Sequence, residues 1–81
     1  DEIKFKINEE LERKFIENGY RVETIDGVKI WLDNGWVLLR PSNTQPAIRM
    51  FVEANNEIEM KKIKSEFTEE LKEVMKSHTK G

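Results

Sequence analysis

Arg40 and Arg49 bracket a short run made of Pro41, Ser42, Asn43, Thr44, Gln45 and Pro46, then Ala47 and Ile48. Each guanidinium is a planar fork that can hold two oxygens of one anion. Ser42 and Thr44 add hydroxyl donors, and Asn43 adds an amide or a residue tolerant of positive φ. Successive backbone N–H groups in such a turn can form a nest for an anion. Pro41 and Pro46, the only prolines in the chain, supply no N–H but restrict the segment and reduce what binding must order. Anion binding, phosphate above all, is the chemistry these residue types permit. The same composition also fits a proline-stiffened hairpin with two surface arginines.

Other chemistries have less to work with. There is no cysteine, which excludes disulfides, thiolate metal sites and cysteine nucleophiles. His78 is the only histidine. It falls in the tail "SHTKG", which is expected to fray, and reads as a surface residue. Ser42 therefore has no base beside it and is not a nucleophile. Asp26 and Asp33 sit at hairpin turns, where turn chemistry accounts for them, and no Asp-x-Asp metal loop is present. A formal net charge of -2 argues against nucleic acid, whose phosphate backbone demands an excess of basic charge. It leaves a small anion possible. No apolar run approaches the roughly 20 residues of a membrane span, and the start "DEIKFKINEE" lacks a signal-peptide pattern. The expectation is a cytoplasmic protein with no membrane partner. Asp1 in place of a methionine suggests a processed product or a domain cut from a longer protein, and the cut domain is the favoured expectation.

The elements that must position the loop follow from periodicity. At 81 residues the chain is expected to be one domain, 1–81, with one modest core. "EIKFKI" alternates Ile3, Phe5 and Ile7 against charged residues and predicts a half-buried strand. Asn8 is placed to cap a helix carrying Glu9 and Glu10 in its first turn and Leu11, Phe15 and Ile16 as its stripe, with Gly19 past its end. Asp26-Gly27 and Asn34-Gly35 separate three strands, "YRVETI", "VKIWL" and "WVLLR", and both pairs suit type I′ turns. "WVLLR", apolar on both faces, reads as central. "AIRMFVEA" puts Ile48, Met50 and Val52 on one face and Arg49, Phe51 and Glu53 on the other. Asn55 or Asn56 caps a last helix whose stripe is Met60, Ile63, Phe67, Leu71, Val74 and His78. That stripe is expected to pack on the sheet, the alternative being a face for another domain or subunit. The predicted fold is α+β: an antiparallel sheet of four to five strands with two helices on one face, in the order β-α-β-β-β-β-α.

The order of residues says more than their composition. Arg-Pro-Ser-Asn-Thr-Gln-Pro, followed by Ile-Arg and "VEA", resembles the phosphate-binding loop of the α-D-phosphohexomutases, Arg-x-Ser-Gly/Asn-Thr-x-Pro. "IDGVKIWLDNGWVLLRPSNTQP" is similar to that family's Asp-Gly, Gly-Trp and loop series. The likeness covers essentially the whole chain as the family's fourth, C-terminal domain, a TATA-box-binding-protein-like fold. The resemblance implies a phosphoglucomutase or phosphomannomutase type of parent enzyme, which interconverts sugar 1-phosphates and 6-phosphates through a bisphosphorylated sugar. It implies that the phosphoserine and a Mg²⁺ ion belong to other domains, while this one grips the phosphosugar's non-transferring phosphate. Arg40, Ser42, Asn43 and Thr44 match the family's phosphate contacts, and Arg49 a frequent basic position. Gln45 departs from the usual Glu, which puts any ion pair made there in doubt. No cofactor is implied within this chain, and the fragment alone is expected to catalyse nothing. The rival readings are a free-standing anion-binding module and, by analogy of fold alone, a nucleic-acid binder.

Overall fold

The computed structural model describes residues 2–42 and 48–79. Its elements are α1 (Glu2–Glu17), β1 (Arg21–Glu23), β2 (Val28–Leu32), β3 (Gly35–Pro41), β4 (Ile48–Ala54) and α2 (Glu57–Thr79). The four strands form one antiparallel sheet in the order β1-β2-β3-β4, so each strand pairs with its neighbour in sequence. Both helices pack on one face of it. The α+β class, the antiparallel meander and the two helices on a single face agree with the sequence reading.

The first element does not. "EIKFKI" is the start of α1, not a strand, and the order is α-β-β-β-β-α. Asn8 lies inside the helix and caps nothing. Six alternating residues cannot discriminate between periods when the run continues, without Gly or Pro, into a helical pattern. The residues that face the sheet are Lys4, Ile7, Leu11 and Phe15, all buried and spaced by three or four. Ile3 and Phe5, assigned inward by the alternation, are about half exposed, and so is Ile16.

α1 ends as its sequence requires. Gly19 takes φ +89°, its N–H donates to the Ile16 carbonyl, and the Tyr20 N–H donates to the Phe15 carbonyl, both at 3.0 Å. This is the Schellman pattern, with its customary apolar contact supplied by the Phe15 and Tyr20 rings, 5.6 Å apart. α2 starts on Asn56, whose Oδ1 accepts the Glu59 N–H at 2.9 Å while its carbonyl accepts the Met60 N–H. That is an N-cap, as expected. α2 runs on to Thr79, into the tail predicted to fray: His78 Nε2 lies 2.7 Å from Glu10 Oε1, which ties the last turn of α2 to α1.

The turns differ from the type I′ pair. Among the described residues no non-glycine has positive φ, and Gly27 (φ +93°) is the only hairpin residue that does. Leu32 pairs with Gly35, so the second connection is Asp33-Asn34, one residue earlier than expected. Gly35 belongs to β3, and its lack of a side chain serves close approach: a Cβ there would come 2.0 Å from the Glu53 carbonyl oxygen.

The core lies between the helices and the sheet. Val28, Ile30, Val37 and Leu39 face Ile7, Leu11, Phe15, Ile63, Phe67 and Val74, all buried. Burial of each such side chain stabilises the fold by roughly 1.5–3 kcal/mol. Strand alternation then sends Trp31, Trp36, Leu38, Arg40, Arg49 and Phe51 to the opposite face, which neither helix covers.

Candidate functional site

The site is built on the β3–β4 hairpin. β3 is paired on both sides, with β2 and with β4, so the strand leading into the loop is held rigidly. Register places Arg40 directly opposite Arg49 and Pro41 opposite Ile48. The two loop-flanking arginines are therefore cross-strand partners at the mouth of the loop, on the uncovered face. Like charges so opposed are destabilising unless something neutral or negative separates them. Arg40 has a partial counter-charge, since its Nε is 3.5 Å from Asp26 Oδ1. Among the described residues Arg49 has no ion pair.

Asp26 is delivered by the β1–β2 turn, which lies against the base of Arg40. A Cβ on Gly27 would meet the Leu39 carbonyl oxygen at 2.6 Å and Arg40 Cγ at 3.0 Å, so only glycine allows the turn to sit there. Sequence reasoning assigned Asp26 to turn chemistry alone and missed this contact. The signal was the Asp-Gly pair itself, but nothing in the sequence says which strand a turn will lie against.

Ser42 is buried, and its carbonyl accepts a hydrogen bond from Lys4 Nζ on α1. Lys4 was expected on the solvent side of a strand, and its place under the loop follows from α1 being a helix. Pro41 is half-buried as the last residue of β3. The expectations for Asn43, Thr44, Gln45 and Pro46 fall outside the described residues.

Chemically, the arrangement offers positive charge and donors to an anion. Among the described residues the charged groups at the loop mouth are two guanidinium forks with the Asp26 carboxylate beside Arg40, a set that does not fit a divalent cation. Among the described residues no three His, Asp or Glu side chains converge.

Over residues 2–70 the chain matches the family described as phosphoglucomutase/phosphomannomutase, C-terminal domain. This chain belongs to that family. Among curated proteins it is similar to a "Probable phosphoglucosamine mutase" of Methanopyrus kandleri, 41% identical over 69 residues that cover 85% of this chain and 15% of the relative. A "Phosphoglucomutase/phosphomannomutase" of Thermococcus kodakarensis is 50% identical over 52 residues, 64% of this chain and 10% of the relative. A "Phosphomannomutase/phosphoglucomutase" of Pseudomonas syringae pv. tomato is 39% identical over 74 residues, 91% of this chain and 16% of the relative. The phosphomutase C-terminal domain thus spans about a sixth or less of the proteins it matches. Among its described residues no helix is long and apolar enough to cross a membrane.

Proposed function

We propose that this domain is the substrate-phosphate-binding lid of a cytoplasmic phosphohexomutase, one that interconverts sugar 1-phosphates and 6-phosphates through a bisphosphorylated sugar. One observation carries the reading: Arg40 and Arg49 oppose each other across the loop mouth on the uncovered sheet face. A dianion between two guanidinium groups converts a repulsive pair into two charge-assisted contacts. A phosphomonoester has the charge and the tetrahedral oxygens to accept both forks. Ser42, Asn43 and Thr44 complete the contacts in this reading, and Pro41, Gln45 and Pro46 shape the segment that carries them. The names of the relatives support a phosphosugar as the ligand. The group that transfers phosphoryl, Mg²⁺ and the residues that read the sugar hydroxyls are assigned to other domains of the parent. The 81 residues form one domain of it.

The test is an NMR titration of the 81-residue chain with inorganic phosphate. Ligand contacts made from one side only must offset the loss of translational and rotational freedom, about 4 kcal/mol or more. The expected Kd is on the order of millimolar, about -4 kcal/mol, weakening as salt rises because the ligand stays partly in water. Shifts should concentrate on Arg40, Ser42, Asn43, Thr44 and Gln45, with Arg49 responding and α2 silent. A response confined to α2 or to the first turn of α1, with the loop amides still, would refute the assignment.

A further inference from the structure

The sequence holds two Asn-Gly pairs, Asn18-Gly19 and Asn34-Gly35, and the fold treats them differently. Glycine after asparagine leaves the peptide nitrogen unhindered, because no Cβ shields it. That nitrogen can attack the asparagine side-chain carbon. A bond forms between them, the peptide nitrogen gives up its proton, and the side-chain nitrogen leaves as ammonia. Water then opens the cyclic imide to aspartate or isoaspartate. Attack requires rotation about the asparagine Cα–C and Cα–Cβ bonds, so whatever fixes those torsions suppresses it.

Asn34 is fixed at several points. Its Nδ2 donates to Glu59 Oε1 on α2, and its carbonyl accepts the Asn55 N–H at 3.2 Å. Gly35 pairs with Leu32 on one side and Ala54 on the other. Swinging the Gly35 nitrogen onto Asn34 would unzip the start of β3 from both neighbours. Asn18 is exposed, and so is Gly19. No described residue bonds the Asn18 side chain, and a Cβ on Gly19 would meet nothing within 4 Å. The backbone there is held by the cap, through Gly19 N–H to Ile16 and Tyr20 N–H to Phe15. A helix end opens locally at low cost, whereas a strand paired on both sides opens with the fold.

We propose that Asn18 is a deamidation site of the native protein and that Asn34 is its fold-protected counterpart. Conversion of Asn18 puts a carboxylate at the negative end of the α1 dipole, in a groove that also holds Glu17 and Glu73. The isoaspartate product lengthens the backbone inside the cap as well, where the Phe15 and Tyr20 rings meet. The junction of α1 with β1 is therefore where chemical ageing weakens this domain first.

The test incubates the 81-residue chain in mildly alkaline buffer, with and without urea, and follows both sites by peptide mass mapping. Without urea, conversion at Asn18 should outrun conversion at Asn34 by about tenfold or more, the difference between local and global opening. In urea the two rates should converge, since glycine follows both and neither keeps its surroundings. Glu59→Ala should raise the Asn34 rate in the folded protein and leave the Asn18 rate as it was. Asn18→Asp should melt roughly 2–6 °C lower, the effect of a charge at the wrong helix end in a domain of this size. Equal rates at the two sites in the folded protein would overturn the proposal, as would conversion of Asn18 in urea alone. An unchanged Asn34 rate in Glu59→Ala would overturn the part assigned to Glu59, and an unchanged melt of Asn18→Asp the effect on the cap. If Glu59→Ala does not fold, the wild-type comparison decides by itself.

Discussion

Arg40→Ala removes one of the two guanidinium groups at the mouth of the β3–β4 loop, and it should weaken binding while leaving stability nearly unchanged. A hydrogen bond to a charged group contributes about 1.5–3 kcal/mol. The Arg40 side chain is 43% exposed, so water competes and the lower end applies. The ion pair with Asp26, which is 70% exposed, contributes at most about 1 kcal/mol, and the relief of the opposed charges offsets its loss. The expected change in affinity is about tenfold, taking a millimolar Kd into the range of tens of millimolar. Stability should not fall with it. Opposed like charges on paired strands cost about 0.2–1 kcal/mol, and the substitution removes one of them. Phosphate titrations followed by amide shifts, run beside thermal melts of both proteins, read the two quantities separately. Arg40→Lys should recover only part of the affinity, since an ammonium lacks the fork. A variant that binds phosphate within about twofold of the wild type, or that binds weakly only because it is unfolded, would refute the placement of the site.

The isolated chain should show no mutase activity with Mg²⁺ and a sugar bisphosphate present, and turnover above the buffer rate by rigorously purified protein would overturn the lid reading. Gly35→Ala should destabilise the fold by about 1–3 kcal/mol, because the added Cβ lands 2.0 Å from the Glu53 carbonyl oxygen and 2.8 Å from Ala54 Cα; an unchanged melting temperature would contradict the strand spacing. Stability should hold through neutral pH and decline above about pH 10. There the hydrogen bond to Glu70 keeps Lys14 above the ordinary lysine range, so its contribution is present below that range and lost as pH climbs through the raised value. Burial raises the Tyr20 phenol as well, so the unfolded chain ionises first and the sign is the same. Glu70→Gln should make the alkaline decline shallower, as read from melts across that window.

What was legible in the sequence was whatever a local pattern decides. The α2 stripe, its Asn56 cap, the Gly19 terminus and the in-out alternation of β4 are set by neighbours two to four residues away, and they stand where expected. The alternation also placed Arg49 with Phe51 and Glu53 on one face of its strand, though its direct opposition to Arg40 needed the register. The errors arose where two local patterns competed or where a distant contact ruled. Ile3, Phe5 and Ile7 satisfied the strand period over six residues, but the helix won because Lys4, Ile7, Leu11 and Phe15 make a longer buried stripe. Gly35 was given to a turn because Asn-Gly favours one, whereas the close approach of β4 claims it. His78 was assigned to the tail because nothing local announces Glu10. Lys4 under the loop was the least legible feature, since a lysine at the head of an apolar stripe ordinarily lies in water.

The split between a covered and an uncovered sheet face also divides the chain optically. Its two tryptophans, Trp31 and Trp36, are cross-strand partners on the uncovered face, with Lys29 Nζ 4.2 and 4.5 Å from their ring centroids. Its one tyrosine, Tyr20, lies on the other side, edge-on to Phe15 and Phe67. Emission excited selectively from tryptophan therefore reports on the surface that carries the arginines, and tyrosine absorbance reports on the core. An unlabelled protein can thus show whether a ligand, a neighbouring domain or a denaturant has acted on the face or on the interior.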